Sequence, residues 1–374
     1  MDKVLSKSTL WKYYKFGLLS HLLYIHDILT GIGARALEDA RSACIGCDII
    51  VFHPLMPFAT DIAEAMGVPC IMAGLQPLTP TRCFPHFALT RRYLGRYLNL
   101  WSYGLTAIPY FLIRRRINHA RRRLLGLNKR TSLGNPLMVR GRFPPAVYSI
   151  SRALVAPPED WGKDSLISGY WYSPPSKDYI APPKLVEFLA AGPKPLYIGF
   201  GSNPVGSQDD LIALLLRALQ LADLRAVICL NNLEAPSFTS SSDPQRFVVL
   251  GPVPHDWLFA RVSAAVHHGG AGTVAVSLRA GLPTLVCPLL IDQPWWAERV
   301  HELGAGPPPL RYDSLTARTL ATRLRDLVSN PDYAAKAAEI ARIIAEERGA
   351  ELAAEFIVTF ANRVCSPEPK SSTG

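Results

Sequence analysis

The chain has 374 residues, of which 49% are hydrophobic and 19% charged. This composition excludes a disordered chain and a disulfide-stabilised miniprotein, because there is enough apolar material to bury sizeable cores. Its seven cysteines stand at irregular spacing, which indicates neither a disulfide framework nor a zinc site and favours a reducing, cytoplasmic compartment.

The net charge of +10 comes from the first part of the chain. Residues 1–150 carry +13 and residues 151–374 carry −3. Between Glu64 and Glu159 there is no acidic residue, whereas arginines form runs at 114–116 and 121–123. A basic surface of this kind is typical of proteins that contact nucleic acid or anionic lipid. Since no nucleic-acid-binding module surrounds these arginines, we expect no nucleic acid partner.

The first half of the chain alternates helix and strand signals but contains few strands. Short apolar runs predict buried strands, and apolar residues at helical spacing predict helices. In chain order we expect a helix over 33–44, a strand over 48–52, a helix over 58–66, and strands over 69–73 and 147–150.

A run of 17 uncharged residues, 97–113, lies between Arg96 and the arginines 114–116. It is shorter than the roughly 20 apolar residues of a transmembrane helix, and it contains Asn99 and Pro109. Its aromatic ends and arginine flanks predict a helical hairpin that lies peripherally at an anionic membrane surface or lines a site for an apolar ligand. An ordinary hairpin with a solvated basic face is the alternative.

The second half of the chain predicts a doubly wound parallel sheet covered by helices. Strands are expected over 195–200, 226–230, 247–250, 264–267 and 284–288. Residues 158–183, rich in Pro, Ser, Tyr and Gly, have the composition of an interdomain linker. The predicted organisation is therefore an amino-terminal domain over 1–157, a linker over 158–183, a carboxy-terminal domain over 184–365 and a disordered tail over 366–374.

Two strand-end loops of the second half carry the chemistry of an anion site. One follows the strand 195–200, and the other places two histidines before a glycine-rich turn and a helix. In doubly wound sheets ligands bind at such strand ends, where helix amino termini present N–H groups to phosphate. We expect a diphosphate to be held, without a metal, by Gly201, Ser202, His267, His268, Gly269, Gly270, Ala271, Gly272 and Thr273. The alternative is that the histidines are buried strand-end residues and the glycines permit close packing.

Asp292 and Gln293 follow the next strand and precede a helix. A carboxylate beside an amide can hold adjacent sugar hydroxyls. Asp is also a favoured helix N-cap, with Pro294 then in the first turn, so a purely structural role stays open.

These motifs resemble the GT-B glycosyltransferases that use nucleotide-sugar donors. The residues that carry the resemblance are GFGS at 199–202, GPVPHDWLF at 251–259, HHGGAGT at 267–273, RAGLPTLVCPLLIDQPWWAERV at 279–300 and LGAG at 303–306. Within this group the chain is similar to the sterol 3β-glucosyltransferases, on the basis of LTPTRCFPHF at 78–87, ALVAPPEDWG at 153–162 and GPKPLYIGFGS at 192–202.

The resemblance implies an α/β GT-B fold of two Rossmann-like domains, the amino-terminal one incomplete. It implies inverting, metal-independent transfer of a hexose, most simply glucose, from a UDP-sugar to a hydroxyl of a sterol-like or other hydrophobic acceptor, with no further cofactor. Val253 would lie against the base of the nucleotide, and Asp292 and Gln293 would bind the sugar. The acceptor would lie toward Gln76, Thr79, Thr81, Phe84 and His86.

The resemblance supplies no catalytic base. Similar full-length transferases open with a strand and a GSRGD-like loop that provides it, and no such loop occurs here, so we expect a fragment or a misassigned start. His53, after the strand 48–52, and Asp292 are the candidate bases. An unpaired edge of the incomplete domain favours a homodimer. Two other functions stay open: a catalytically incomplete nucleotide-sugar-binding or partner subunit, and a transferase for polyketide or other secondary-metabolite aglycones.

Overall fold

The computed structural model describes residues 33–56, 58–90, 92–105, 108–130, 137–174, 178–201, 208–230, 238–239, 243, 245–289 and 292–365. By their contacts the described residues form two compact units. Tyr172–Glu346 form one, called here the carboxy-terminal unit, and residues 33–171 with 347–365 form the other, called the amino-terminal unit. The tail predicted to be disordered, 366–374, lies outside the described residues.

The amino-terminal unit is built on a four-stranded parallel sheet in the order β1-β2-β3-β4. The helices and strands predicted in this half are confirmed, with ends that differ by at most two residues. The elements are α1 (Gly33–Ala43), β1 (Ile50–Phe52), α2 (Ala59–Met66), β2 (Cys70–Gly74), α3 (Arg96–Leu105), α4 (Ile108–Leu125), β3 (Ala146–Tyr148) and β4 (Ser165–Ile167).

The carboxy-terminal unit contains a six-stranded sheet in the order β10-β9-β5-β6-β8-β7. All neighbouring strands are parallel except β7, which pairs antiparallel with β8. The five predicted strands are confirmed, whereas β7 was not predicted. The elements are α5 (Pro183–Ala190), β5 (Leu196–Gly199), α6 (Gln208–Ala222), β6 (Ala226–Cys229), β7 (Phe238–Thr239), β8 (Phe247–Leu250), α7 (His255–Phe259), β9 (Ala264–His267), α8 (Ala271–Arg279), β10 (Thr284–Val286), α9 (Gln293–Glu302), a 3₁₀ turn (Tyr312–Ser314), α10 (Ala317–Ser329) and α11 (Pro331–Glu346).

The division of the chain differs from the predicted boundaries in two places. β4 lies inside the segment predicted to be a linker, and it pairs with β3. The last helix, α12 (Gly349–Cys365), packs through Phe356 and Phe360 on a cluster that contains Ile71 and Val147. Residues 347–365, which the sequence analysis assigned to the carboxy-terminal domain, therefore belong by their contacts to the amino-terminal unit.

The segment predicted to form a helical hairpin is helical on both sides of residues 106–107, as α3 and α4, and the packing of these two helices as a hairpin stays a prediction. None of the helices in the described part of the chain combines the length and apolarity of a membrane span.

A buried ion cluster anchors α4 on α2. Arg121 pairs with Asp61, and its Nη2 lies 3.0 Å from Oε2 of Glu64. Arg130 donates from Nε to the same Asp61 oxygen at 3.0 Å and from Nη2 to Thr60 Oγ1 at 2.7 Å. Burial lowers the pKa of both arginines to about 10, which still leaves them charged at neutral pH. The Asp61 carboxylate is thus the counter-charge of two buried cations.

We expect Asp61→Asn to lower the free energy of unfolding by about 3–5 kcal/mol, because it removes the carboxylate that the two buried guanidinium groups share. Urea denaturation followed by circular dichroism measures this loss. Glu355→Gln is the matched control, since Glu355 and its partner Arg348 are both exposed and such pairs contribute little. Equal unfolding free energies for the two variants would contradict the role given to Asp61.

Candidate functional site

The carboxyl ends of β5 and β9 meet where the strand order of the carboxy-terminal sheet reverses. From β5 the chain continues through β6 and β8 on one side, and it then crosses to β9 and β10 on the other. Gly199 of β5 and His267 of β9 are paired in register. Such a switch point opens a crevice for ligands in doubly wound sheets. The structure therefore brings together the two loops predicted to bind a diphosphate, although Ser202 lies outside the described residues.

His267 is fully buried, and its ring holds the glycine-rich loop after β9 in place. Its Nδ1 accepts the N–H of Gly269 at 3.0 Å, so the neutral ring carries its proton on Nε2, which lies 3.2 Å from Ser277 Oγ. Burial holds the pKa of His267 well below its ordinary value, and the nearby His268 and His255 lower it further. Both ring nitrogens are used inside the protein. The diphosphate contact expected of His267 is therefore replaced by a structural role, because the ring faces the core.

His268, in the same loop, is half-buried, and its ring lies against the backbone at Gly201 and Gly270. A Cβ at Gly201 would lie 2.8 Å from its Cε1, and a Cβ at Gly270 would lie 2.7 Å from its Nε2. Burial lowers the pKa of His268, while the Gly199 backbone and the Asp292 carboxylate act in the opposite direction. At neutral pH the ring is uncharged and can donate one N–H. Of the two histidines, His268 is the one placed to serve a ligand.

Close packing accounts for Gly269. Its φ of +88° lies in the left-handed region that favours glycine. A Cβ there would lie 2.5 Å from Val286 Cγ1 and 3.3 Å from the Gln293 carbonyl oxygen. The loop thus passes directly over the end of β10 and the start of α9.

Close packing does not account for Gly272, in the first turn of α8. Apart from its chain neighbours and the backbone of its own helix, no atom among the described residues lies within 4 Å of a Cβ placed there. The Val274 N–H donates to the Gly270 carbonyl at 3.0 Å, and helix geometry directs the preceding N–H groups of Ala271, Gly272 and Thr273 out of the helix end. Open space in front of a helix amino terminus is the environment that a phosphate group needs.

Asp292 stands at the N-cap position of α9, but its carboxylate does not cap the helix. Instead Oδ2 accepts the indole N–H of Trp296 at 2.9 Å. The side-chain oxygen of Gln293 accepts the N–H of Leu289 at 2.7 Å. Asp292 is 9% exposed and Gln293 6%. Their contacts hold a carboxylate and an amide beside the glycine-rich loop, as a sugar site requires, and they do not support the capping alternative.

Val253 is buried, and its side chain packs in a cluster with Leu258 and Phe259. This places the side chain in the core of the carboxy-terminal unit. The contact of Val253 with a nucleotide base stays a prediction.

The residues predicted to face the acceptor follow β2 in the amino-terminal unit, and the two threonines among them form hydrogen bonds inside that unit. Thr81 is fully buried and donates to Asp160 Oδ1 at 2.5 Å. Thr79 Oγ1 lies 2.7 Å from the Tyr148 hydroxyl. These hydrogen bonds shape the loop, and they leave an acceptor contact by either threonine as a prediction.

The other three residues of that set are Gln76, Phe84 and His86. Gln76 and Phe84 are half-buried. His86 is buried. Its ring Nδ1 accepts the backbone N–H of Ala88 at 3.2 Å, and the backbone N–H of His86 donates to Ser102 Oγ at 2.7 Å. His86 therefore ties this loop to α3.

The geometry does not support His53 as a general base. Its Nδ1 accepts the N–H of Leu55 at 3.2 Å, so the neutral ring carries its proton on Nε2. Burial lowers the pKa of His53. A base must offer a lone pair to the hydroxyl, and the lone pair of Nδ1 is already used by the backbone. The other candidate, Asp292, uses Oδ2 to accept from Trp296.

Ser277 and Trp296 complete the site and were missed by the sequence analysis. Each lies on the helix that follows one of the loops and bonds back to it. The spacing of Asp292 and Trp296, four residues apart on a helix, could have been found from the sequence. The pairing of His267 with Ser277 has no such local signal.

Within the described ranges, no group of three or more His, Cys, Asp or Glu side chains is arranged to hold a metal ion.

The buried histidines predict how the stability of the protein depends on pH. Because burial lowers the pKa of His267 and His268, the unfolded chain binds protons below about pH 6.5 that the folded chain does not. We expect the free energy of unfolding, from urea denaturation, to fall as pH falls below about 6.5, by up to about 1.4 kcal/mol per pH unit for each such histidine. His267→Gln is expected to make this decline shallower. The same slope in the variant and the parent would contradict a buried, neutral His267.

Sequence comparison relates the chain to known glycosyltransferases. Residues 213–358 match the EryCIII-like family, described as the C-terminal domain of erythromycin biosynthesis protein CIII-like proteins. The sterol 3β-glucosyltransferase of Arabidopsis thaliana is 35% identical over 305 residues, which are 81% of this chain and 47% of that protein. The sterol 3β-glucosyltransferase of Saccharomyces cerevisiae is 33% identical over 324 residues, which are 83% of this chain and 26% of that protein. The chain thus spans about half of the plant relative and about a quarter of the yeast one.

Solved glycosyltransferase structures share the fold. The kitacinnamycin glycosyltransferase superposes with a TM-score of 0.67 at 17% identity, and the match covers 90% of this chain and 83% of that one. VinC, solved in complex with dTDP, has a TM-score of 0.60 at 18% identity, and the match covers 95% of this chain and 81% of VinC. SnogD from Streptomyces nogalater has a TM-score of 0.56 at 21% identity, and the match covers 94% of this chain and 83% of SnogD.

The two sheets, parallel except at β7, and these neighbours confirm the predicted GT-B fold. The predicted resemblance is confirmed as well: the chain is similar to sterol 3β-glucosyltransferases, which are 30–35% identical to it over most of its length.

Proposed function

We propose that this protein transfers glucose from UDP-glucose to the hydroxyl of a sterol-like acceptor, with inversion at the anomeric carbon and without a metal ion. The observation that carries the proposal is the open amino terminus of α8 at the switch point, with space in front of Gly272 and His268 beside it. The acceptor class and the sugar are taken from the names of the homologues, which are sterol 3β-glucosyltransferases.

The site suits the departure of a diphosphate. In the proposed step the acceptor oxygen bonds to the anomeric carbon as the bond from that carbon to the β-phosphate oxygen breaks, and the electron pair stays on UDP. In this proposal the N–H groups of Ala271 to Thr273 and the ring of His268 beside them donate to the charge that develops there. Fixed donors at a helix amino terminus can take the role that a metal ion has in other transferases. The hydroxyl proton passes to a base that we do not assign.

The sugar is held, in this proposal, by Asp292 and Gln293. The carboxylate of Asp292 accepts from glucose hydroxyls and the amide of Gln293 both donates and accepts. Trp296 and the Leu289 N–H fix the two side chains before the sugar binds, so little ordering is required at that moment.

Gly272→Ala is expected to weaken UDP binding by roughly tenfold or more, because the added methyl group occupies the space assigned to the phosphate. Gly104→Ala is the matched control, since Gly104 is also helical and a Cβ there has no atom within 4 Å among the described residues. Alanine favours the helix at both positions, so both variants should fold. Isothermal titration calorimetry measures the affinities, and equal affinities would contradict a phosphate at Gly272.

The activity is tested by incubating the chain with UDP-glucose and cholesterol or ergosterol in vesicles. We expect a sterol β-glucoside by mass spectrometry and nuclear magnetic resonance, formed equally in the presence of EDTA. His268→Gln is expected to lower the rate by about 100-fold or more, and the exposed control His119→Gln should leave it unchanged.

Four outcomes would contradict the proposal in whole or in part. UDP binding without any glucoside would indicate a donor-binding subunit, and glucosylation of a polyketide aglycone but of no sterol would indicate a secondary-metabolite transferase. Retention of activity by His268→Gln would remove His268 from the site. A preference for dTDP-glucose would correct the donor.

A further inference from the structure

Helix α3 of the amino-terminal unit buries Asn99, Ser102 and one aromatic residue, Tyr103, and turns Tyr97 and Trp101 outward. Asn99 and Ser102 are buried. Tyr97 is 77% exposed, Trp101 75% and Leu98 60%. This is the reverse of the arrangement in a helix that packs on a protein core and faces water.

Hydrogen bonds hold α3 in this orientation. Asn99 donates from Nδ2 to the Arg82 carbonyl at 3.0 Å and accepts the Leu94 N–H at 3.1 Å. Ser102 Oγ accepts the backbone N–H of His86 at 2.7 Å. Rotating the helix to bury Trp101 would leave these polar groups unpaired, which is costly. The outward position of the aromatic residues is therefore built into the fold.

Exposed apolar side chains continue from α3 on both sides. A group of large exposed apolar side chains within one short segment of chain marks a contact site on many soluble proteins. The residues of this surface, called here the aromatic face, are Tyr93, Leu94, Tyr97, Leu98, Trp101, Leu105, Ile108 and Phe111.

Uncompensated positive charge surrounds the aromatic face. Among the described residues, no carboxylate forms an ion pair with Arg92, Arg96, Arg114 or Arg115, and all four are exposed. The Arg114 guanidinium lies 3.8 Å from the centroid of the Phe111 ring. The buried Arg121 of α4 and the buried Arg130 that follows α4, in contrast, are paired with Asp61.

We propose that the aromatic face docks on an anionic lipid bilayer, with Tyr97 and Trp101 at the level of the lipid headgroups and the arginines against lipid phosphates. Tyrosine and tryptophan prefer this depth because one part of the ring system is apolar and the other can form hydrogen bonds. Arginine adds electrostatic attraction to an anionic surface. A second copy of the chain is disfavoured as the occupant, because a symmetric contact would bring like charges together.

The proposal goes beyond the transfer reaction and is tested without sugar donor or acceptor. The full chain is sedimented with sucrose-loaded vesicles of pure phosphatidylcholine or of phosphatidylcholine with one third phosphatidylserine. We expect binding to the anionic vesicles that is weaker at high salt and weak on the neutral ones.

Two double variants separate the aromatic and the charged contributions. Tyr97→Ser with Trp101→Ser, and Arg92→Gln with Arg96→Gln, are each expected to weaken binding by roughly tenfold or more. The controls are Ile180→Ser and Arg318→Gln, which change an exposed apolar residue and an exposed arginine of the other unit and should leave binding unchanged. Thermal denaturation verifies that each variant is folded.

Trp101→Phe keeps an aromatic ring but removes the indole, so it tests whether Trp101 itself enters the lipid layer. With brominated lipids in the vesicles, we expect the parent chain to lose fluorescence and Trp101→Phe to lose far less, although the other six tryptophans remain. The proposal is overturned if the parent does not bind anionic vesicles, if the double variants bind as the parent does, or if quenching is the same in Trp101→Phe. It is also overturned if light scattering shows a dimer that Tyr97→Ser with Trp101→Ser converts to a monomer.

Discussion

The hydrogen bonds of the His267 ring hold the candidate donor site together. One ring nitrogen accepts the N–H of Gly269 and the other faces Ser277 on α8, so the end of β9 and the helix that follows are tied to a single buried side chain. The loop between them must turn at Gly269 with positive φ and pass over Val286. The direction of the α8 amino terminus, and with it the position of His268, depends on this arrangement.

The same principle recurs in the amino-terminal unit. There the buried Asn99 and Ser102 bond to the loop 82–86 and leave Trp101 in the open. In both units a few internal polar contacts determine which face of a helix a ligand or a surface meets. If α3 docks on lipid as proposed, the loop that contains His86 is held at the lipid surface, where a sterol-like acceptor is found.

The strands of the carboxy-terminal unit could be predicted because each is an apolar run between turn residues; 247–250 and 264–267 have the predicted bounds. Apolar runs did not predict β4, whose three residues lie in a Pro-rich segment and pair with β3. They also did not predict that α12 packs on the sheet of the amino-terminal unit. Both features depend on contacts between residues that are distant in sequence. The motif located the site but did not distinguish the two histidines. That distinction requires Ser277 and the sheet, which decide that the His267 ring is fully buried whereas His268 is half-buried.

The most direct test is a crystal structure of the protein with UDP bound. We predict β-phosphate oxygens within hydrogen-bonding distance of the N–H groups of Ala271 to Thr273 and of the His268 ring, with His267 still bonded to Gly269 and Ser277. A diphosphate bound away from the α8 amino terminus, or contacted by His267, would contradict the account of the site.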